Sequence, residues 1–420
     1  MSLAARILVV EADPDRAAGI TARLAQHGYA SMVSRNGREA LPLAIGGATD
    51  IVLVGPGNSE DAAMLTDALG QRPSTRALPV IVLDGPSSSE TGDEPEDMEL
   101  LARMRSLLRL NTMQEEWSRR RETLASYGLV PPDPPRIPRN VDDARVIVVS
   151  NDPESIVAAL ANVAVVTPIA NAYLAMQQLV SGEIDVVVTS IDDALAEEFC
   201  RDIRANTKLF HLPVVVIVQQ QSRDVLRSGA SEVMRPGWTP EDLRSRVAAL
   251  AGMQRYRQRL TDTYRVTRHP VTCDSLADVF SYGFLLDHLA LQIAATRRSG
   301  KPLTLGCFDV VGMAEINNAH GYAAGDLVIR QIGHLIRRLT RAEDLPARLG
   351  GARFCVSLPD TSAEEAANVI RRISGIVGRT AFSLTGSQES LTVELRCGVA
   401  ECDSKDTPER LIARAQKAFG

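Results

Sequence analysis

Two residues of opposite charge, Arg341 and Asp344, lie just before a pair of glycines in the last third of the sequence. An arginine side chain can donate paired hydrogen bonds to O6 and N7 of a guanine, or hold phosphate oxygens. A carboxylate can accept hydrogen bonds from the donors on guanine's Watson–Crick edge. The chemistry of this pair would therefore suit contact with a guanine base or a phosphate. The alternative interpretation is a solvated surface ion pair, worth under ~1 kcal/mol.

The segments around this pair carry other polar residues in a distinctive order. Leu303–Phe308 is an apolar run, predicted as a buried strand, and Asp309 follows it directly. A helical stretch that carries Asn317 and Asp326 comes next. Gly350-Gly351 stands between two short apolar segments, a pattern that predicts a hairpin whose backbone can closely approach a phosphate.

This order of residues resembles the catalytic core of the GGDEF family, the diguanylate cyclases that join two GTP molecules into cyclic di-GMP. The family's signature Gly-Gly-(Asp/Glu)-Glu-Phe reads here as Gly350-Gly351-Ala352-Arg353-Phe354. In the family, the third signature residue and a strand aspartate, matched here by Asp309, hold two metal ions over the triphosphate. Ala352 has no oxygen to offer, and Arg353 reverses the local charge. Because phosphoryl transfer depends on positioning and charge neutralisation, we expect no cyclase activity and no catalytic metal.

The resemblance also implies an allosteric site for cyclic di-GMP. Many family members carry an Arg-x-x-Asp motif five residues before the signature, which is where Arg341 and Asp344 stand. The family adds an arginine from the following helix, and that position falls on Arg372, with Arg371 beside it. These four residues are the predicted ligand-binding set.

Part of the family's GTP site is also matched, as a vestigial site. Asn317 and Asp326 correspond to guanine-contacting residues, and Asp309 to the remaining metal ligand. The alternatives are a helix-surface role for Asn317 and a helix cap at Asp326. The family's closing lysine and arginine, which contact GTP phosphates, have no counterpart in Gln416-Lys417-Ala418-Phe419-Gly420. Weak GTP binding is the most that these residues support.

Length and composition limit the class of protein. A chain of 420 residues is too long for one ordinary core and suggests about three domains. A net charge of −6 argues against general affinity for nucleic acid or for an anionic membrane. The six cysteines show no paired metal-ligand spacing. No apolar run approaches the roughly 18 residues that span a bilayer, and the amino terminus has no signal-peptide core, so we expect a soluble cytoplasmic protein.

The first two-thirds of the sequence contains one pattern twice. Continuous aliphatic runs separated by helical stretches are typical of a doubly wound parallel α/β domain. The runs of the first copy return in the second at offsets of about 135 residues, as expected for two copies of one fold. They begin at Arg6, Asp50 and Leu78 in the first copy, and at Arg145, Asp185 and Leu212 in the second.

Both copies resemble response-regulator receiver domains, which have a flavodoxin-like fold. The predicted organisation is a receiver-like domain over residues 1–127, a proline-rich linker over 128–141 and a second receiver-like domain over 142–270. A degenerate GGDEF domain, with the nucleotidyl-cyclase-like α/β fold, follows over 271–420. Long helices are predicted over residues 96–126 and 239–269. The first could be a dimer seam or could pack on its own sheet, and receivers of this kind commonly dimerise, so a homodimer is expected by analogy.

Neither receiver-like copy keeps phosphorylation chemistry. The phosphoacceptor positions hold Gly55 and Ser190, and the acidic pair that would hold Mg²⁺ reads Glu11-Ala12 and Ser150-Asn151. Asp13 and Asp152 lie nearby, and each is predicted to be a helix cap. We therefore expect no phosphorylation, and interpret both copies as docking or dimerisation modules.

The predicted function is that of a cyclic di-GMP effector with no other cofactor. The domain order resembles catalytically silent alphaproteobacterial regulators of this family. That resemblance implies recruitment to a cell pole and delivery of a cell-cycle regulator to a ClpXP-type protease. Two alternatives are a residual diguanylate cyclase or GTP-binding regulator, and a scaffold that binds no nucleotide.

Overall fold

The structure, a computed structural model, describes residues 5–46, 49–72, 75, 78–83, 94–138, 141–206, 208–219, 224–384 and 390–419. Side chains of residues 94–99, 102 and 105 fall outside that description, as do residues 139 and 140 of the predicted linker. The chain forms two compact units. One comprises Met1–Asp50, Asn111–Pro134 and Thr261–Gly420, and the other comprises Ile51–Leu110 and Pro135–Leu260.

Strands and helices alternate in the first part of the chain, as the aliphatic runs predict. The elements are β1 (Arg6–Val10), α1 (Pro14–Gln26), β2 (Ala30–Ser34), α2 (Gly37–Ile45), β3 (Ile51–Val54), α3 (Ser59–Gly70), β4 (Val80–Val82) and α4 (Glu94–Ser126). Strand β1 pairs in parallel with β2, and β3 pairs in parallel with β4. Asp13 caps α1 by accepting hydrogen bonds from the N–H groups of Asp15 and Arg16, which confirms the prediction for that residue.

The second copy forms a complete parallel sheet within its unit. Its elements are β5 (Ala144–Val149), α5 (Glu154–Leu160), β6 (Ala164–Ile169), α6 (Ala172–Ser181), β7 (Val186–Thr189), α7 (Asp193–Ala205), β8 (Val214–Ile217), α8 (Asp224–Arg227), β9 (Glu232–Met234) and α9 (Pro240–Arg265). The strand order is β6-β5-β7-β8-β9, and every pairing is parallel. The predicted doubly wound fold is confirmed. The cap at Asp152 was wrong, because the N-cap residue of α5 is Pro153.

The last part of the chain is built on an antiparallel sheet. Its elements are α10 (Tyr282–Ser299), β10 (Leu303–Val311), α11 (Met313–His320), α12 (Tyr322–Leu339), β11 (Leu345–Gly350), β12 (Arg353–Pro359), α13 (Ala363–Gly378), β13 (Phe382–Ser383), β14 (Ser390–Leu391), β15 (Glu394–Glu401) and α14 (Pro408–Lys417). The sheet order is β11-β12-β10-β15, with α12 and α13 packed on one face and α10 and α14 on the other. The predicted α/β fold of this region is confirmed.

Both long helices are present, and the C-terminal part of each belongs to the same unit as this antiparallel sheet. Leu124 of α4 lies in the apolar cluster that surrounds Phe284 of α10. Lys301, which is 8% exposed, adds an ionic contact, with its Nζ 2.9 Å from Asp50 Oδ1 and 3.1 Å from Glu115 Oε1. Among the described helices, none combines the length and apolar character that crossing a bilayer requires.

Candidate nucleotide site

The connection between α12 and β11, residues 340–344, carries Arg341 and Asp344. Helix α12 buries Val328, Ile332 and Ile336 against the sheet, which fixes the start of this connection. The Asp344 side chain is buried, and its Oδ2 accepts a 2.7 Å hydrogen bond from the backbone N–H of Arg341. Arg341 itself is exposed. In this structure the carboxylate shapes the 340–344 turn, while the arginine side chain is exposed to solvent.

Helix α13 brings the predicted third residue beside this turn. A capping box between Ser362 and Glu365 sets the start of α13. Ten residues after Ser362, Arg372 donates from Nη2 to the carbonyl of Leu339 at 3.1 Å, at the end of α12. Arg371 instead donates to Asn368 Oδ1 at 3.2 Å, within its own helix. Arg372 therefore lies near the turn that carries Arg341. The side chain of Arg371 instead binds a residue of its own helix, Asn368.

Asp309, the carboxylate at a predicted metal-ligand position, lies between two arginines. It is on the central strand β10, directly opposite Arg353 on β12 and Arg396 on β15. Residues directly opposite in antiparallel strands project from the same face of a sheet. The Asp309 Oδ2 lies 2.6 Å from Arg396 Nη2. Ala352 is half-buried and packs against the apolar cluster on the sheet face that α12 and α13 cover.

This donor set does not fit a two-metal centre. Mg²⁺ is held by carboxylate and phosphate oxygens, and the one carboxylate here already has a cationic partner. Within the described ranges, no group of three or more His, Cys, Asp or Glu residues could hold a metal ion. We therefore assign no catalytic step to a metal in this chain.

The glycine pair forms the predicted hairpin between β11 and β12. Gly350 and Gly351 have φ of +114° and +57°, a region that favours glycine because it has no Cβ. The carbonyl of Gly351 accepts hydrogen bonds from Nε and Nη2 of Arg348, at 3.0 and 2.7 Å. Arg348 Nη1 also lies 3.0 Å from Asp274 Oδ1. An arginine thus ties the hairpin to the segment before α10.

The residues predicted to form a vestigial GTP site lie on two adjoining helices. Asn317 is on α11 and is half-buried, and Asp326 is exposed on α12. A Cβ added at Gly325 would meet Asn317 Oδ1 at 1.9 Å, so the amide packs directly on the helix backbone next to Asp326. The interpretation of Asp326 as a helix cap was wrong, because Gly321 is the N-cap residue of α12.

At Ser190, the predicted phosphoacceptor position of the second receiver-like copy, two hydroxyl groups form a hydrogen-bond network. Ser190 Oγ donates to Ser150 Oγ at 2.8 Å, and Ser150 Oγ accepts from the backbone N–H of Asp152 at 3.0 Å. In the first copy, Gly55 has no side chain and is buried after β3. The absence of phosphorylation at both positions stays a prediction.

Sequence reasoning missed three arginines that contact the site. Arg396 pairs with Asp309, Arg348 holds the glycine hairpin, and Arg120 of α4 contacts the backbone of the 340–344 turn. Arg348 could have been suspected from its place two residues before Gly350. The other two depend on pairings between residues that are 87 and about 220 positions apart, for which the sequence offers no local signal.

Known proteins resemble the chain at two levels. Residues 271–419 match the family model for the GGDEF domain of diguanylate cyclases. Over 99% of its length the chain is 26% identical to the response regulator PleD of Caulobacter vibrioides, and the match covers 96% of that protein. The diguanylate cyclase DosC of Escherichia coli is 30% identical over 37% of this chain and 33% of its own. The solved GGDEF domain of DgcB from Caulobacter crescentus, in complex with c-di-GMP, is 24% identical with a TM-score of 0.35, covering 36% of this chain and 87% of that one.

Proposed function

We propose, since residues 271–419 form a GGDEF domain in a chain similar over its length to the response regulator PleD, that this protein is a non-enzymatic effector of cyclic di-GMP. GGDEF domains with this relationship are normally diguanylate cyclases, so the chain works in cyclic di-GMP metabolism or binding. The effector role has two supports. One is the set of charges around Asp309, and the other is the pair of arginines, Arg341 and Arg372, near the 340–344 turn.

The loss of synthesis is supported by the charges around Asp309. A cyclase concentrates cations over the triphosphate by means of carboxylates. Here Ala352 removes one carboxylate, and Arg396 neutralises the other at 2.6 Å. A metal ion would have to displace this guanidinium from Asp309 or share the single carboxylate with it. A single carboxylate that is already paired with an arginine is a poor basis for holding two metal ions over two triphosphates.

The binding role is carried by one observation, the 3.1 Å hydrogen bond from Arg372 Nη2 to the carbonyl of Leu339. This bond holds the guanidinium of Arg372 at the backbone of Leu339, which precedes Arg341 by two residues. Two arginines on neighbouring elements suit a ligand with two phosphates and two guanine edges. Asp344 fixes the turn, and it contacts a guanine donor only if its buried carboxylate turns outward when the ligand binds. Arg371 adds positive charge beside the pair.

Calorimetry with cyclic di-GMP on the full chain tests this proposal. We expect wild type to bind and Arg341→Ala to bind at least about tenfold more weakly, because a charged hydrogen-bond donor is lost. Arg330→Ala is the matched control: it removes the same charge from an exposed position on α12, roughly 13 Å along the helix from its end. Equal binding by Arg341→Ala and wild type would contradict the site. Absence of binding by wild type would favour a nucleotide-free scaffold.

The proposal includes protein partners, whose support is the resemblance in domain order alone. The two receiver-like regions would dock or dimerise. The bound dinucleotide would shift the population of chain conformations toward one that partners recognise. By that resemblance, the partners are at a cell pole and pass a cell-cycle regulator to a ClpXP-type protease. Pull-down with and without cyclic di-GMP would test whether partner binding depends on ligand.

A second candidate function is binding of GTP without turnover. It is favoured by the contact between the Asn317 amide and Gly325, which keeps the two guanine-contacting positions of the family next to each other. Calorimetry with GTP separates this candidate from the first. Binding that is lost in Asn317→Ala and retained in Arg341→Ala would place GTP at the vestigial site.

A further inference from the structure

Arg120, a buried arginine of another element, binds the backbone of the 340–344 turn. Arg120, on the C-terminal part of α4, is 2% exposed. Its Nη2 lies 3.1 Å from the carbonyl of Glu343 and 3.3 Å from that of Asp344, and its Nη1 lies 3.4 Å from the carbonyl of Ala342. One guanidinium therefore contacts three successive carbonyls between Arg341 and β11. The planar fork of arginine permits this, and a lysine would offer a single point charge.

Arg120 is itself fixed by aromatic and acidic neighbours. Its guanidinium carbon lies 4.5 Å from the ring centroid of Tyr264, at the end of α9, and 5.4 Å from that of Phe280. Glu116, one turn earlier on α4, lies 3.7 Å away. The Tyr264 hydroxyl donates to the carbonyl of Met113 at 2.5 Å, which joins α9 to α4. A buried cation between two rings and a carboxylate has little freedom to move.

The carboxylate that faces Arg120 continues the network into α10. Glu116 is fully buried and contacts the ring of His288. It also accepts hydrogen bonds from Arg119 Nε at 2.9 Å and Gln292 Nε2 at 3.0 Å. Because Glu116 keeps these partners, replacing Arg120 alone does not leave its charge uncompensated. The network thus connects α4, the end of α9, α10 and the 340–344 turn through direct contacts.

We infer that Arg120 is a positioning residue for the dinucleotide site and couples its occupancy to the packing of α4 residues 111–126. This inference rests on the proposed function. Arg120 sets the backbone from which Arg341 projects, so a ligand that holds Arg341 also stabilises the Arg120 contacts. By linkage, the coupling is reciprocal: ordering of this part of α4 favours ligand binding, and ligand binding orders it.

The test uses cyclic di-GMP and the full chain. Arg120→Gln removes the charge and the fork, and we expect its affinity by calorimetry to fall at least about tenfold. Arg120→Lys keeps the cation beside Glu116 and is expected to lose less. The control is Arg121→Gln, the adjacent residue, whose partner Asp133 is 94% exposed and whose ion pair does not reach the turn. It should bind as wild type does.

Amide hydrogen exchange separates positioning from a loss of folding. In wild type and Arg121→Gln, cyclic di-GMP should slow exchange in residues 111–126. In Arg120→Gln, saturating ligand should protect the 340–344 turn and leave exchange in 111–126 unchanged. Should that variant not fold, Arg120→Lys with saturating ligand should show less protection of 111–126 than wild type. The inference would be overturned if both Arg120 variants bound cyclic di-GMP with wild-type affinity, or if the ligand protected residues 111–126 in them as strongly as in wild type. The effector proposal would still stand. If wild type binds no cyclic di-GMP, both fall.

Discussion

Asp309 and Arg396 face each other across β10 and β15, with the carboxylate Oδ2 2.6 Å from the guanidinium Nη2. In a cyclase this carboxylate would meet a metal ion, and here it meets a permanent cation on a neighbouring strand. Arg353 stands opposite on the other side. The negative charge of Asp309 is therefore already paired with a cation within the sheet.

Restoring the missing carboxylate alone should therefore not restore synthesis. We expect Ala352→Glu, like wild type, to form no more cyclic di-GMP from GTP and Mg²⁺ than Asp309→Ala does, because Arg353 and Arg396 still oppose metal binding. Product would be measured by chromatography over long incubations. Wild-type turnover that Asp309→Ala abolishes would show that the chain is an enzyme after all.

Helix α12 should tolerate no side chain at Gly333. A Cβ there would lie 2.2 Å from the backbone carbonyl oxygen of Ala277, which cannot rotate away. We expect Gly333→Ala to lower the free energy of unfolding by about 2 kcal/mol. Gly375→Ala, in α13 with no atom within 4 Å of its added Cβ, is the matched control and should raise it by about 1 kcal/mol.

Denaturant unfolding followed by the fluorescence of Trp117 would measure both substitutions, in a Trp238→Phe background. Trp117 is fully buried in the same unit as α12 and α13. If Gly333→Ala were as stabilising as Gly375→Ala, then α12 would not pack against residue 277 as closely as the structure has it.

The unit that contains Trp238 should lose stability in mild acid because of His211. Burial, followed by repulsion from Arg257, Arg109 and Arg204, lowers the pKa of His211 from 6.5 to about 3. Below pH 6.5, His211 therefore binds a proton in the unfolded chain but stays neutral in the folded chain until the pH approaches 3. The stability contributed by this histidine is complete above pH 6.5 and is lost as the pH falls toward 3, by at most about 1.4 kcal/mol per pH unit.

Denaturant unfolding at pH 7 and pH 5, followed by Trp238 fluorescence, would measure the two free energies of unfolding and show this loss. His211→Gln should flatten the dependence, since it removes the titrating group. His320→Gln, at an exposed position of α11, should leave the dependence as it is in wild type. An unchanged slope in His211→Gln would mean that other groups cause the acid sensitivity.

The elements of the fold could be predicted from sequence because local patterns determine them. Continuous aliphatic runs predict the parallel strands, and Gly350-Gly351 predicts the hairpin. The candidate site could be predicted only in its residue types. Nothing local shows that Asp344 is buried, since its burial depends on how α12 and β11 pack. The contact of Arg396 with Asp309 depends on the register between β10 and β15. The contact of Arg120 with the 340–344 turn depends on how α4 packs.

The contacts of Glu116 have a consequence for any attempt to excise the C-terminal region. His288 and Gln292 are buried polar side chains, and both of them bind a carboxylate that lies more than 150 residues before residue 271. A fragment cut at the limits of the family match would expose these groups together with the apolar surface that Leu124 covers. The smallest piece that keeps its own interior intact is thus discontinuous in sequence, and a shorter one should self-associate.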